Sequence, residues 1–188
     1  MIVYKPRQAK IPPANYTGLF SPVLDHLRCV LCSLRMKLSL RGEYALRALI
    51  VLGLNPGPDV VRIQTISEQQ NIPKRFLEQI LNDLKTAGIL ESKRGLAGGY
   101  RLRLAPEQIT LARVIRLIEG PLAPVSCVSE NFYEKCTCPD ESRCGIRSIM
   151  QEVRDAIVKI LEQVTLAQLC DRVKTLERQH TNPLDYII

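Results

Sequence analysis

The sequence predicts a mainly α-helical protein with a small β-wing: a winged helix-turn-helix domain followed by a long C-terminal dimerisation helix. Three observations predict it. Two helical runs meet at a tight turn around Asn71 and Pro73, a glycine-rich hairpin bearing two cations follows them, and an apolar stripe of helical spacing runs from Ile146 to Val164. The chain has 188 residues, of which 46% are apolar and 24% charged. That is enough to bury a core and excludes wholesale disorder. No apolar run approaches the roughly 18 residues of a membrane-spanning helix.

Residues 1–35 hold Pro6, Pro12, Pro13 and Pro22 and carry neither helical nor strand periodicity. They read as a disordered extension, or as sequence upstream of a start at Met36, and they lack the compact apolar core of a secretory signal. Cys29 and Cys32 have the spacing of half a zinc site, without an obvious second pair nearby. Periodic sequence begins at Met36, and residues 36–120 form the predicted DNA-binding domain.

From Leu38 to Leu54, Tyr44, Ala45, Ala48, Leu49 and Leu52 recur at helical spacing, until Gly53 to Pro58 break the pattern. The β-like triplet Val60, Val61 and Ile63 precedes a brief polar helix from about Gln64 to Gln70. Asn71 makes a turn, and Pro73 opens the next helix, where its missing N–H costs nothing. That helix turns Phe76, Leu77, Ile80, Leu81 and Leu84 inward and shows Lys74, Arg75, Glu78, Gln79 and Asn82 outward. Gly88 supplies a left-handed cap. Two helices so joined, the second with polar readers at its start, describe a helix-turn-helix.

Ile89 to Glu91 read as one strand and Tyr100 to Leu104 as a second, with Ser92 to Gly99 as the tip between them. This is a wing, narrow enough to lay Arg94 into a minor groove, with Lys93 beside it. Arg75 and Gln79 would reach base edges and Lys74 a phosphate. Thr110 is a plausible N-cap for one more helix carrying Leu111, Val114, Ile115 and Ile118, closed by Gly120 and Pro121.

Charge follows the same division. Of 26 Lys and Arg against 19 Asp and Glu, residues 36–105 hold 11 basic and 6 acidic side chains, and residues 106–188 hold 10 and 12. The positive field belongs to the domain predicted to meet DNA.

Four of the seven cysteines, Cys127, Cys136, Cys138 and Cys144, fall in a loop over residues 121–145 that has no apolar period. An odd cysteine count argues against a secreted disulfide scaffold, and a cytosolic protein keeps such thiols reduced. Four soft thiolates within 18 residues suit an iron–sulfur cluster or zinc, while a thiol switch and a merely Cys-rich loop stay open. Neither a zinc-ribbon spacing nor a ferredoxin run is present.

Past the loop, Ile146, Ile149, Met150, Val153, Ile157, Ile160, Leu161 and Val164 mark a helix of about 20 residues with one apolar stripe. An isolated helix needs that stripe covered, so residues 146–176 are expected to cross their twin in a homodimer. Two reader helices would then face two half-sites of a palindromic operator on double-stranded DNA. Leu166, Leu169 and Leu176 continue the stripe more weakly, Cys170 reads as a buried small side chain, and His180 lies in a polar tail over residues 177–188.

The run from Met36 through Leu38-Ser39-Leu40-Arg41-Gly42-Glu43-Tyr44 to Leu49 resembles the opening of the Rrf family of winged-helix transcriptional regulators, the type that includes an iron–sulfur cluster regulator and a nitric-oxide-sensitive repressor. Phe76-Leu77-Glu78-Gln79-Ile80-Leu81 resembles its recognition helix. Ser92-Lys93-Arg94-Gly95 with Gly98-Gly99-Tyr100 resembles its wing, and Glu119-Gly120-Pro121-Leu122 the approach to its cysteine loop. The resemblance runs from Met36 to about Lys174. It implies a homodimeric regulator, often a repressor, with a [2Fe–2S] cluster held by three cysteines per subunit. Cys138 and Cys144 match the last two ligands. Cys127 is the natural first, although its gap to Cys138 is longer than usual and Cys136 could take the middle place. One branch adds a histidine three residues after the last cysteine; Arg147 stands there. Another draws a carboxylate from the partner's first helix, and Glu43 occupies that position.

The reading is therefore a cluster-sensing DNA-binding regulator. Its alternatives are a zinc-bound or thiol-switched repressor of the same fold, and a winged-helix protein-interaction module without a cluster. No nucleophile–base pair or phosphate-cradling loop suggests an enzyme.

Overall fold

The first helix, α1 (Leu40–Leu54), starts where Ser39 accepts a hydrogen bond from the Gly42 N–H at 3.2 Å, an N-cap that stabilises a helix start by about 1 kcal/mol. The structure, a computed structural model, describes residues 38–95 and 98–181, with only the backbone of His180 and Thr181. The N-terminal extension with Cys29 and Cys32, the proposed start at Met36, Leu96 and Ala97 of the wing tip, the His180 side chain and residues 182–188 lie outside the described residues.

The two short helices follow as expected. α2 (Ile63–Gln70) ends at Asn71, whose φ of 50° and ψ of 48° make it the left-handed turn residue. α3 (Lys74–Thr86) begins after Pro73, whose carbonyl accepts from the N–H groups of Phe76 and Leu77 at 3.1 and 3.2 Å. Its end is a double cap: the Gly88 N–H reaches the Lys85 carbonyl and the Ile89 N–H that of Leu84, with Gly88 at φ 72°.

Leu77, Ile80, Leu81 and Leu84 of α3 are buried against Ala45, Ala48, Leu49 and Leu52 of α1 and Ile66 of α2. Each such leucine or isoleucine gains about 1.5–3 kcal/mol from burial. Phe76 corrects the predicted inward face. It is 54% exposed, its ring tilted against Tyr44 at 6.5 Å, because a residue one step before the Leu77–Ile80–Leu81–Leu84 stripe lies about 100° away from it.

The hairpin pairs β1 (Leu90–Lys93) with β2 (Gly99–Leu102) antiparallel, placing Glu91 opposite Arg101 and Lys93 opposite Gly99. The paired part thus takes in Ser92, Lys93 and Gly99, which were expected in the tip. Of the predicted β triplet only Val61 pairs, exchanging both backbone hydrogen bonds with Tyr100 at 2.9 Å, while Ile63 opens α2. A Cβ on Gly99 would strike the Val61 carbonyl, so this close approach requires glycine. Thr110 caps α4 (Leu111–Glu119) by accepting from the Arg113 N–H at 3.3 Å.

The C-terminal region departs most from expectation. The predicted single helix over 146–176 is two, α5 (Gly145–Gln163) and α6 (Leu166–Thr181), so the first five residues of the predicted tail are helical. The chain breaks where Val164 and Thr165 are extended. The Val164 carbonyl accepts from the Leu111 N–H at 2.9 Å, and the Leu166 N–H donates to the Ile109 carbonyl at 2.8 Å. Thr165 and Gln168 then form a reciprocal capping box at 3.0 and 3.4 Å, which restarts the helix in a new direction. α6 returns to α1: Leu166 and Cys170 join the buried core, and Cys170 lies so close to Gly53 that a Cβ there would meet its Sγ at 2.7 Å. In α5, by contrast, no residue is buried.

Candidate functional site

Two surfaces carry the candidate chemistry. The first is built by α3 and the hairpin. Lys74, Arg75, Glu78 and Gln79 stand exposed on the first two turns of α3, and Lys93 and Arg94 stand exposed at the wing. None of these six makes a side-chain hydrogen bond or ion pair among the described residues. Their neighbours, by contrast, are tied down. Arg41 of α1 pairs with Asp83 of α3, and Arg47 reaches the Gln70 carbonyl at the end of α2, fixing the helix-turn-helix from behind. Arg101 pairs with Glu91 across the hairpin and donates to the Pro58 carbonyl at 2.7 Å, so the wing base is braced while its tip cations stay free for a ligand.

The second surface is the cysteine loop, strung between α4 and α5. A short helical turn, Ser126–Val128, buries Cys127 at 8% exposure, while Cys136, Cys138 and Cys144 are half-buried. The structure brings all four together. Cys138 and Cys144 approach to 3.7 Å between sulfurs, and the Cys136 thiol lies between those of Cys127 and Cys138. Cys144 is the N-cap of α5 and accepts from the Arg147 N–H at 3.5 Å. Their protonation differs accordingly. Burial pushes the Cys127 thiol up. The Cys138 backbone N–H, with the Cys138 thiol, holds Cys136 below the ordinary cysteine value. The neighbouring thiols of Cys136 and Cys144 push Cys138 up to about 12.

One residue absent from the sequence reading belongs to this group. The ligand atoms of Cys127, Cys136 and Glu141 all lie within 4.8 Å of one another. Tyr133 donates its hydroxyl to both Glu141 oxygens at 2.7 and 2.9 Å, and Arg147 Nε stands 3.5 Å from the same carboxylate. Arg147 also donates to the Cys127 carbonyl at 3.3 Å, and Arg154 of α5 to that of Val128 at 2.6 Å. Glu43 is elsewhere: it is exposed on the first turn of α1 and paired with Arg47 at 3.3 Å, outside the group of donors gathered at the thiols.

The two surfaces are joined mechanically. Glu119, the last residue of α4, accepts from the Ser39 hydroxyl at 2.5 Å and lies against Gly42. The start of the loop is therefore fastened to the N-terminus of α1, the helix whose Arg41 grips α3.

The profile of the Rrf2 family, described as an iron-dependent transcriptional regulator, matches residues 38–172. The chain belongs to the Rrf2 family of transcriptional regulators. It is 38% identical over 131 residues to the rrf2-like HTH-type transcriptional regulator of Rhodobacter capsulatus, covering 68% of this chain and 87% of that one. It is 32% identical to the HTH-type transcriptional regulator CymR of Bacillus subtilis over 71% of this chain and 89% of that one. Among solved structures, that of B. subtilis CymR, the global cysteine regulator, superposes with a TM-score of 0.62 at 30% identity, over 73% of this chain and 98% of that one. T. potens IscR superposes with a TM-score of 0.60 at 25% identity, over 76% and 91%. An Rrf2 chain is thus a winged-helix regulator and not an enzyme, as its motifs suggest. No helix among the described residues is long and apolar enough to cross a membrane.

Proposed function

We propose that this Rrf2 protein is a cytoplasmic, homodimeric repressor whose affinity for a palindromic operator is set by a [2Fe–2S] cluster in the cysteine loop. The observation that carries the reading is the contiguity of four thiols between α4 and α5. Soft sulfur donors so gathered fit an iron–sulfur cluster, and such a group would supply redox and nitric-oxide sensitivity when bound. Cys127, Cys138 and Cys144 are the ligands the family resemblance favours, with Cys136 available as a fourth sulfur.

The remaining steps belong to the chain itself. Arg75 and Gln79 read base edges, Lys74 holds a phosphate, Glu78 discriminates at the same groove, and Lys93 and Arg94 enter the minor groove from the wing. The contact of Glu119 with Ser39 gives the loop a lever on α1. Exposed Ile146, Ile149 and Ile160 on α5 supply an apolar face for the twin subunit.

Anaerobic purification of the full chain, with its absorption spectrum and its iron, sulfide and zinc contents, tests the cofactor. Equal iron and sulfide with visible bands is the expected result; a colourless protein that stays iron-free after reconstitution overturns it. A second reading, a thiol-switched repressor, is favoured by the 3.7 Å between Cys138 and Cys144, close enough for a two-electron oxidant such as a peroxide to join them. Zinc in place of iron and sulfide would instead make the loop a structural metal centre. DNA binding is tested separately, by anisotropy across a salt series: affinity should fall steeply as salt rises. Arg94→Ala should weaken it, and no change in that variant would remove the wing from the interface.

A further inference from the structure

We propose that Glu141 donates a carboxylate oxygen to the metal centre of the loop from the same chain as the cysteines, forming with Cys127 and Cys136 a three-donor face. This rests on the metal-centre reading above and names a ligand for it. The juxtaposition is specific to Glu141. Of the other carboxylates of the loop, Glu130 pairs with Arg154 at 3.7 Å, Asp140 accepts from the Ser142 N–H and hydroxyl at 2.9 and 2.6 Å, and Glu134 is exposed and outside the group of donors at the thiols. The Glu130 and Asp140 side chains are 63% and 48% exposed, whereas that of Glu141 is 19% exposed.

The carboxylate is also aimed. Tyr133 holds it from outside through both oxygens, and Arg147 steadies it from the first turn of α5. A carboxylate so braced keeps lone pairs for one further partner, since each oxygen can accept twice. Outer groups that orient a ligand in this way are the usual companions of metal-bound side chains.

The donor set fits a metal. The ligand atoms of Cys127, Cys136 and Glu141 all lie within 4.8 Å of one another, a spacing that one cation between them can bridge. Both zinc and iron accept sulfur together with carboxylate oxygen. Arg147, standing where one branch of the family has a histidine, then acts as a positioning residue for Glu141.

The test compares wild type, Glu141→Gln, Glu141→Asp, Tyr133→Phe and Glu43→Gln, each as the full chain, purified anaerobically and reconstituted with ferrous iron and sulfide. Iron and sulfide per chain and visible circular dichroism are read, with far-ultraviolet circular dichroism verifying the fold. Expected is a loss of roughly half or more of the iron, with shifted visible bands, in Glu141→Gln. Glu141→Asp should fall between, Tyr133→Phe should shift the bands while keeping iron, and Glu43→Gln should match wild type. A wild-type cluster that is unchanged in Glu141→Gln overturns the Glu141 assignment and leaves the cluster standing. Loss in Glu43→Gln alone overturns it in favour of a carboxylate from the partner subunit. If wild type holds no iron or sulfide, the cluster itself falls, and Co2+ titration of the same reduced proteins decides: binding about ten-fold weaker in Glu141→Gln sustains the carboxylate ligand, and equal binding overturns it.

Discussion

Gly99 and Cys170 show how much single positions carry in this fold. At Gly99 any Cβ meets the Val61 carbonyl, so Gly99→Ala should cost about 1–3 kcal/mol in urea unfolding through forced backbone movement. Gly57→Ala, where the nearest atom is 3.9 Å away, should stay within about 0.5 kcal/mol. Thiol chemistry gives a second measurement at this scale. In the reduced, metal-free protein Cys136, held below the ordinary thiol value by the Cys138 N–H and half-exposed, should be the first of the five described cysteines to be alkylated near neutral pH, because the thiolate is the nucleophile. Cys170, buried and pushed up by desolvation, should react last, at a rate that follows unfolding. Mass-spectrometric mapping of the adducts over time distinguishes the two. Cys170 as a buried small side chain was legible from its place in the apolar stripe. Glu141 was not. In a loop without periodicity a glutamate resembles any solvated charge, and its nearness to Cys127, fourteen positions earlier, depends on the path of the loop.

At the scale of elements, local punctuation carried most of the reading. Asn71, Pro73, Gly88 and Thr110 each mark a boundary by a backbone requirement, and each occupies the conformation its side chain favours. Side-chain direction at the edge of a stripe was less legible. Phe76 is apolar and adjacent to the inward set, yet its ring lies outside, tilted against Tyr44, itself covered by the Arg47 guanidinium at 5.6 Å. The break between α5 and α6 was written in Thr165-Leu166-Ala167-Gln168, a capping-box pattern, but the apolar spacing that carries on through Val164, Leu166 and Leu169 masks it. Thr165→Ala should therefore cost about 1 kcal/mol by removing the cap, and Leu166→Ala about 2–5 kcal/mol by opening the core, both read from urea midpoints.

For the whole molecule, the core and the cysteine loop are separable. Among the described cysteines only Cys170 belongs to the main core, and the loop is fastened to the domain at its start, where Glu119 accepts from Ser39, rather than by filling that core. Removing metal with a chelator should then leave helical circular dichroism nearly unchanged while altering operator affinity; a collapse of helicity would make the centre structural. Ile149→Asp and Ile160→Asp on α5 should dissociate the proposed dimer in sedimentation without lowering the helicity of the subunit, since neither side chain is buried within it. The same variants should lose cooperative binding to a two-half-site operator.

The return of α6 to α1 has a consequence for how the protein is made. The sulfur of Cys170 lies 3.9 Å from the carbonyl of Ile50, a contact that closes 120 residues of chain. Helices α1 to α3 and the hairpin leave the ribosome early, yet the wall that covers Gly53 and completes their core is synthesised after the whole cysteine loop. A nascent chain halted before Leu166 therefore carries the helix-turn-helix and hairpin on an open, apolar-faced half-core, a substrate for proteases and chaperones. Only a chain that has already produced its cysteine loop can close that core, so the helix-turn-helix and the loop reach the folded state together.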